Sequence, residues 1–129
     1  MKIFYRTAGK VITVCLLPLV LTGCGGEKTV SFSQDVRPVL EQNCLECHKA
    51  GGSGLEASGF NMETYDGLMK GTNFGPMIIA GDAEGSNMLV LMEGRADPSI
   101  SMPHGQQDSI SQRDIQIISL WIEQGAKNN

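Results

Sequence analysis

The run Cys44-Leu45-Glu46-Cys47-His48 constrains this 129-residue chain more than any other feature. Two thiols three positions apart, followed at once by an imidazole, make up the C-x-x-C-H attachment signature of c-type haem. Three such side chains fit on about one helical turn. One short segment can therefore hold both haem edges through thioethers and cap one face of the iron. Two other chemistries compete for the same residues. A thioredoxin-like dithiol needs a βαβ setting, and the hydrophobic pattern shows none. A structural zinc site usually needs four Cys or His ligands, and downstream of the N-terminal segment only His104 could join the motif.

The N-terminal segment reads as an export signal. Met1 to Arg6 is basic, Lys10 follows, and an apolar run extends from Val11 to Leu21. A basic start before a short apolar run is a secretory signal, and the run is too short for an ordinary transmembrane helix. It ends in Leu21-Thr22-Gly23-Cys24, which resembles the lipobox of bacterial lipoproteins. That resemblance implies cleavage before Cys24, lipidation of Cys24, and loss of Cys15 with the signal. The alternative is an ordinary signal peptide with an incidental cysteine. The expected organisation is a lipoprotein signal over 1–23, a lipidated tether over 24–30, and one domain over 31–129.

Removing residues 1–23 from the 129 leaves 106, enough for one small domain. Lys2, Arg6 and Lys10 leave with the signal, so seven Lys/Arg face 14 Asp/Glu. No basic patch suggests nucleic acid. The acidity keeps the domain soluble and steers it toward basic partners. With Cys24 lipidated, the two remaining cysteines both belong to the motif, so no disulfide framework supports the fold. A domain of this size has a modest core, and its aromatics are few: Phe32, Phe60, Tyr65, Phe74 and Trp121. Haem is therefore expected to supply much of the apolar core.

The pattern along the chain is helical. Asp35 can cap a first helix from Val36 to about Cys47, with Pro38 in its first turn, where a missing N–H costs nothing. Lys49 to Gly59, with four glycines, reads as loop. Thr64 can cap a short helix from Tyr65 to Lys70, which Gly71 stops. Thr72 to Asp82 reads as extended or looped chain. Ser86 can cap a helix from Asn87 to about Glu93, and Gly94 to Gln107 is loop. The last helix is the clearest: Ser111 and Asp114 form a capping box, Ile110 and Ile115 a hydrophobic staple. Ile115, Ile118 and Ile122 form an apolar stripe widened by Ile117 and Trp121, and Gly125 is the stop. Trp121 reads as a core residue. Asp82 and Glu84 read as a solvated helix entry, and no carboxylate pair, triad or phosphate loop offers another chemistry.

His48 is the expected proximal iron ligand. For the opposite face the downstream chain offers Met62, Met69, Met77, Met88, Met92 and Met102. Met62 and Met69 flank the middle helix, and Met88 and Met92 lie four apart, as core residues do. Met77 follows Gly75-Pro76 in a loop and is a second candidate. Met102, in Ser101-Met102-Pro103-His104-Gly105, sits on a Pro-stiffened loop that suits a ligand reaching across a cofactor. Haem held by His and Met is typical of electron-transfer cytochromes, since the thioether raises the reduction potential.

Taken together, the chain resembles small class I single-haem cytochrome c domains, and among them the planctomycete-type cytochrome c. The resemblance rests on Phe32, Asp35 to Leu40, Cys44 to His48 and Tyr65 to Leu68. It continues through Ile79 to Asp82, Ser86, Leu89, Met102-Pro103, Trp121-Ile122 and Gly125-Ala126. It implies an all-α, cytochrome c-like fold of three to four short helices around one covalent haem c, with Met102 as distal ligand. It also implies single-electron transfer between partner proteins rather than enzymatic turnover, at the bacterial cell envelope, facing the periplasm or the outer surface. One departure is His104, where the family often has proline or a small residue, which leaves bis-His iron open. Two other functions remain: a sensor or small-ligand binder with an open sixth position, or an accessory haem subunit of a fixed enzyme complex.

Overall fold

The computed structural model describes residues 28–104 and 110–129. The export signal and Cys24 lie outside the described residues, as do 105–109.

The chain enters the fold at Val30, which is buried and whose N–H donates to Gln124 Oε1 (2.8 Å). The packed domain thus reaches back to the last residue of the expected tether. A π-helical turn, Phe32–Val36, comes next and runs directly into α1, Arg37–Asn43. The start of this helix differs from the sequence expectation. Ser31, not Asp35, is the cap: its hydroxyl accepts from Gln34 N–H (3.3 Å), while Asp35 reaches back to accept from Ser31 N–H (2.9 Å). The two satisfy orphan donors of the first turn reciprocally. α1 also ends earlier than expected, at Asn43, so the cysteine motif follows the helix as a separate turn.

The glycine-rich stretch after the motif, read from sequence as loop, contains a helix: α2, Ser53–Ser58, closed by Gly59 in the left-handed conformation (φ 74°). α3, Tyr65–Lys70, forms as expected. Thr64 Oγ1 accepts from Gly67 N–H (3.0 Å), and Gly71 (φ 81°) ends the helix. α4, Asn87–Met92, starts at Ser86, but by another device than capping. The buried Ser86 hydroxyl donates to Asp82 O (2.7 Å) and accepts from Ile79 N–H (2.9 Å), so it pins the preceding loop. α5, Gln112–Glu123, carries the Ser111 cap on Asp114 N–H (3.1 Å), and Ile110 and Ile115 are both buried. Among the described residues β structure is limited to isolated bridges, Thr72 with Gly75 and Ile79 with Asp82. Among the described residues the fold is all-α as expected, with five short helices and one π turn where three to four helices were expected.

The core forms where the two ends of the domain meet. Trp121, 1 % exposed, lies 5.5 Å from the ring of Phe32, and Tyr65 stands edge-on to both. Trp121 Nε1 donates to Lys127 O (2.9 Å) and Tyr65 OH to Ala126 O (2.8 Å), so the polar tips of both aromatics are satisfied inside. Leu40, Leu68, Leu89, Ile118 and Ile122 are among the most deeply buried side chains of this core. Met62, Met88 and Met92 are core residues, as their positions suggested. No described helix is long and apolar enough to cross a membrane.

Candidate haem-attachment site

Cys44 follows α1 at the C-cap, and its N–H still bonds to Leu40 O (2.9 Å). Cys47 N–H and His48 N–H then both turn back to Cys44 O, at 3.2 and 3.0 Å. This single closed turn brings the two sulfurs and the imidazole onto one short arc. Both cysteines are half-buried free thiols. Burial pushes the Cys44 thiol up to about 11, and the neighbouring Cys47 adds to the shift. Cys44 is therefore a protonated, quiet thiol at neutral pH.

His48 is buried, and two neighbouring segments fix it. The chain from Phe60 to Met62 runs beside the motif: Phe60 O faces His48 Nδ1 at 3.1 Å, and Met62 N–H donates to His48 O (2.9 Å). A carbonyl can only accept, so Nδ1 carries the proton and Nε2 keeps its lone pair. Burial lowers the His48 pKa, with the Phe60 carbonyl opposing and the His104 charge adding to the lowering. The ring is thus neutral at pH 7, with one nitrogen tied and the other free to ligate. Glu63 holds the Phe60–Met62 segment in turn. Its carboxylate accepts from Ala50 N–H (3.0 Å) and Asn61 Nδ2 (3.1 Å), and Arg37 donates to its carbonyl (2.7 Å).

α2 closes the other side. Leu55 N–H donates to Cys47 O (3.0 Å), and Gly52 packs against the same carbonyl so closely that a Cβ would collide with it. Gly54 lies against the His48 ring. Sequence reasoning identified Cys44, Cys47 and His48 but missed Phe60, Gly52 and Gly54. The signal for the glycines was the Gly52-Ser53-Gly54 spacing just after the motif, since paired glycines mark close approach as well as loop.

Met102 is half-buried on the loop after α4, where its N–H donates to Leu91 O (3.1 Å). It borders a cleft of about 370 Å³ together with Met92, Ile110 and Ile115. His104, exposed on the same loop, is near enough to lower the His48 pKa. Met77 is half-buried against the core, its carbonyl accepting from Met88 N–H (2.9 Å). Two free thiols and a neutral imidazole with an open nitrogen on one turn fit the attachment of haem c, while the thioether of Met102 borders a separate cleft that Cys44, Cys47 and His48 do not line. Among the described residues, no cluster of three or more His, Cys, Asp or Glu offers a competing metal site.

An all-helical domain with a C-x-x-C-H turn defines the class as c-type cytochrome. The family model for planctomycete cytochrome c matches residues 44–105, and the chain carries a cytochrome c domain of this type. Haem-based electron transfer is the function that this family suggests, and haem c its cofactor. No curated protein and no solved structure matched the chain significantly.

Proposed function

We propose that the protein is a membrane-anchored cytochrome with one haem c, carrying single electrons between partner proteins in the bacterial cell envelope. The observation that carries this reading is His48. Its imidazole is buried, neutral and locked by Phe60 O in the tautomer that leaves Nε2 free, directly after two free thiols.

In this reading Cys44 and Cys47 would hold the haem covalently through their sulfurs. His48 Nε2 and the Met102 thioether would be the groups offered to its iron. Bound haem c supplies Fe(III)/Fe(II) cycling, in which no substrate bond is made or broken. The chain's own contribution is to hold two ligands fixed so that little reorganises when the charge changes. The excess of Asp and Glu over Lys and Arg favours partners with a basic face. Leu21 to Cys24 supports the lipid anchor.

A second reading, a small-ligand binder with a weak sixth ligand, has one observation in its favour: Met102 sits half-exposed on a loop. A redox-titrated visible spectrum of the holoprotein separates the two. A sulfur-to-iron band at the red edge and no carbon monoxide adduct support the electron carrier. A five-coordinate spectrum that binds carbon monoxide overturns it. Haem staining of a denaturing gel tests attachment, since Cys44→Ala with Cys47→Ala must abolish the stained band. Membrane fractionation of wild type and Cys24→Ser tests the anchor.

A further inference from the structure

Glycine 54 sits in the first turn of α2, a position where glycine is a poor helix former. Its neighbour explains it. An ideal Cβ built on Gly54 would lie 2.8 Å from His48 Cε1, 2.9 Å from Nε2 and 3.0 Å from Nδ1. Three nearly equal distances put that atom over the face of the imidazole, not beyond its edge. A second constraint comes from Phe60: its carbonyl holds Nδ1 at 3.1 Å, and its own ring stands edge-on to the imidazole with centroids 5.5 Å apart. α2 itself cannot back away, because Leu55 N–H is bonded to Cys47 O (3.0 Å) and Gly52 is pressed on that carbonyl. The ring thus has the bare backbone of Gly54 over one face and the Phe60 carbonyl at its Nδ1 edge.

We propose that Gly54 is a positioning residue that sets the plane of the His48 imidazole, so that any side chain at 54 rotates the ring. This deepens the reading of His48 as an iron ligand and rests on it. The rotation of an axial imidazole about its metal bond governs overlap with the metal d orbitals, and neighbours that orient a ligand tune its metal. Two effects of Gly54→Ala oppose each other. Helix propensity favours alanine, so a purely structural glycine would give a variant at least as helical and spectroscopically silent. A ring-positioning glycine gives a variant with altered iron.

The test uses the full-length holoprotein with Gly54→Ala, Ser53→Ala and His48→Ala. Ser53 is the exposed neighbour on the same helix. Gly54→Ala is expected to keep covalent haem on denaturing gels, yet shift the largest g value of the low-spin ferric signal and the Fe(III)/Fe(II) midpoint. Ser53→Ala should match wild type in both, and His48→Ala should lose the low-spin signal. Wild-type values in Gly54→Ala, with the signal lost in His48→Ala, overturn the role of Gly54 and leave the ligand assignment standing. A low-spin signal unchanged in His48→Ala overturns the ligand assignment and this inference with it. If Gly54→Ala yields no folded holoprotein, the wild-type reduced protein decides by NMR. A cross-relaxation peak between Gly54 Hα and His48 Hε1 supports the stacking, and its absence overturns it.

Discussion

The two sides of the candidate haem site are built to different standards. On the His48 side, the motif turn is bonded to α1, to α2 and to the Phe60–Met62 segment, with Glu63 and Arg37 bracing the brace. On the Met102 side, the loop after α4 is tied to the helix through Met102 N–H and Leu91 O, and to itself around Asp97. Asp97 takes both the N–H and the hydroxyl of Ser99, and these bonds lower its pKa in a fully exposed setting. The proposed ligand His48 is thus over-determined by tertiary structure, whereas the bonds around the proposed ligand Met102, among the described residues, are mostly local. The contrast teaches that the first is part of the fold, whereas the second is an attachment to it, free to be retuned without rebuilding the domain.

The largest expected effect tests whether the braced side depends on the core where the chain ends meet. Trp121→Ala removes a 1 % exposed side chain packed on Phe32 and Tyr65 and should cost about 3–5 kcal/mol in denaturant unfolding. Next, Glu63→Ala leaves Ala50 N–H and Asn61 without their acceptor and should cost about 1–2 kcal/mol. A value near zero would mean that the brace around His48 is decorative.

A titration sharpens the same point in the apoprotein. The His48 pKa is lower in the folded state than its ordinary 6.5. Below that value the unfolded chain binds the extra proton first. The stability of the neutral, tied ring is therefore fully present above about pH 6.5 and falls as the pH drops toward the folded pKa. The melting temperature of the apoprotein should decline over this window, and His48→Gln should flatten the decline.

On the loose side the effects are smaller in stability and larger in spectrum. Met102→Ala should change apoprotein stability by less than about 1 kcal/mol, because the side chain is half-exposed. In holoprotein it should remove the red-edge band and admit carbon monoxide, with His104→Ala nearly silent. The reverse pattern would assign bis-His iron. The smallest effect belongs to Ser101→Ala, within about 0.5 kcal/mol, since its hydroxyl makes one exposed bond to Asp97 O.

What could be read from the sequence divides along a related line. α3 and α5 are announced by chemistry within four residues: Thr64 and Gly71 for one, Ser111 and Gly125 for the other. Local rules suffice there, and the cap predicted at each N-terminus is the cap observed. α2 has no such announcement. Its glycines argue against a helix, and it exists because Leu55 and Gly54 dock on the motif, a tertiary gain that outweighs propensity. Ser86 shows the same limit in reverse. Its position before α4 was legible, but its buried hydroxyl serves Asp82 and Ile79, partners that only the folded loop supplies. The candidate attachment residues were legible because the spacing of a C-x-x-C-H run is its chemistry. The tautomer of His48 was not, because a carbonyl twelve positions away decides it.

The meeting of Phe32 with residues 121–129 also sets an order of events. Phe32 N–H bonds to the side chain of Asn129, 97 positions later, and its ring packs on Trp121. Until those late residues arrive, the first helix lacks its cover, and Cys44, Cys47 and His48 belong to a chain that cannot yet close. The thiols are therefore most reachable before the fold shuts.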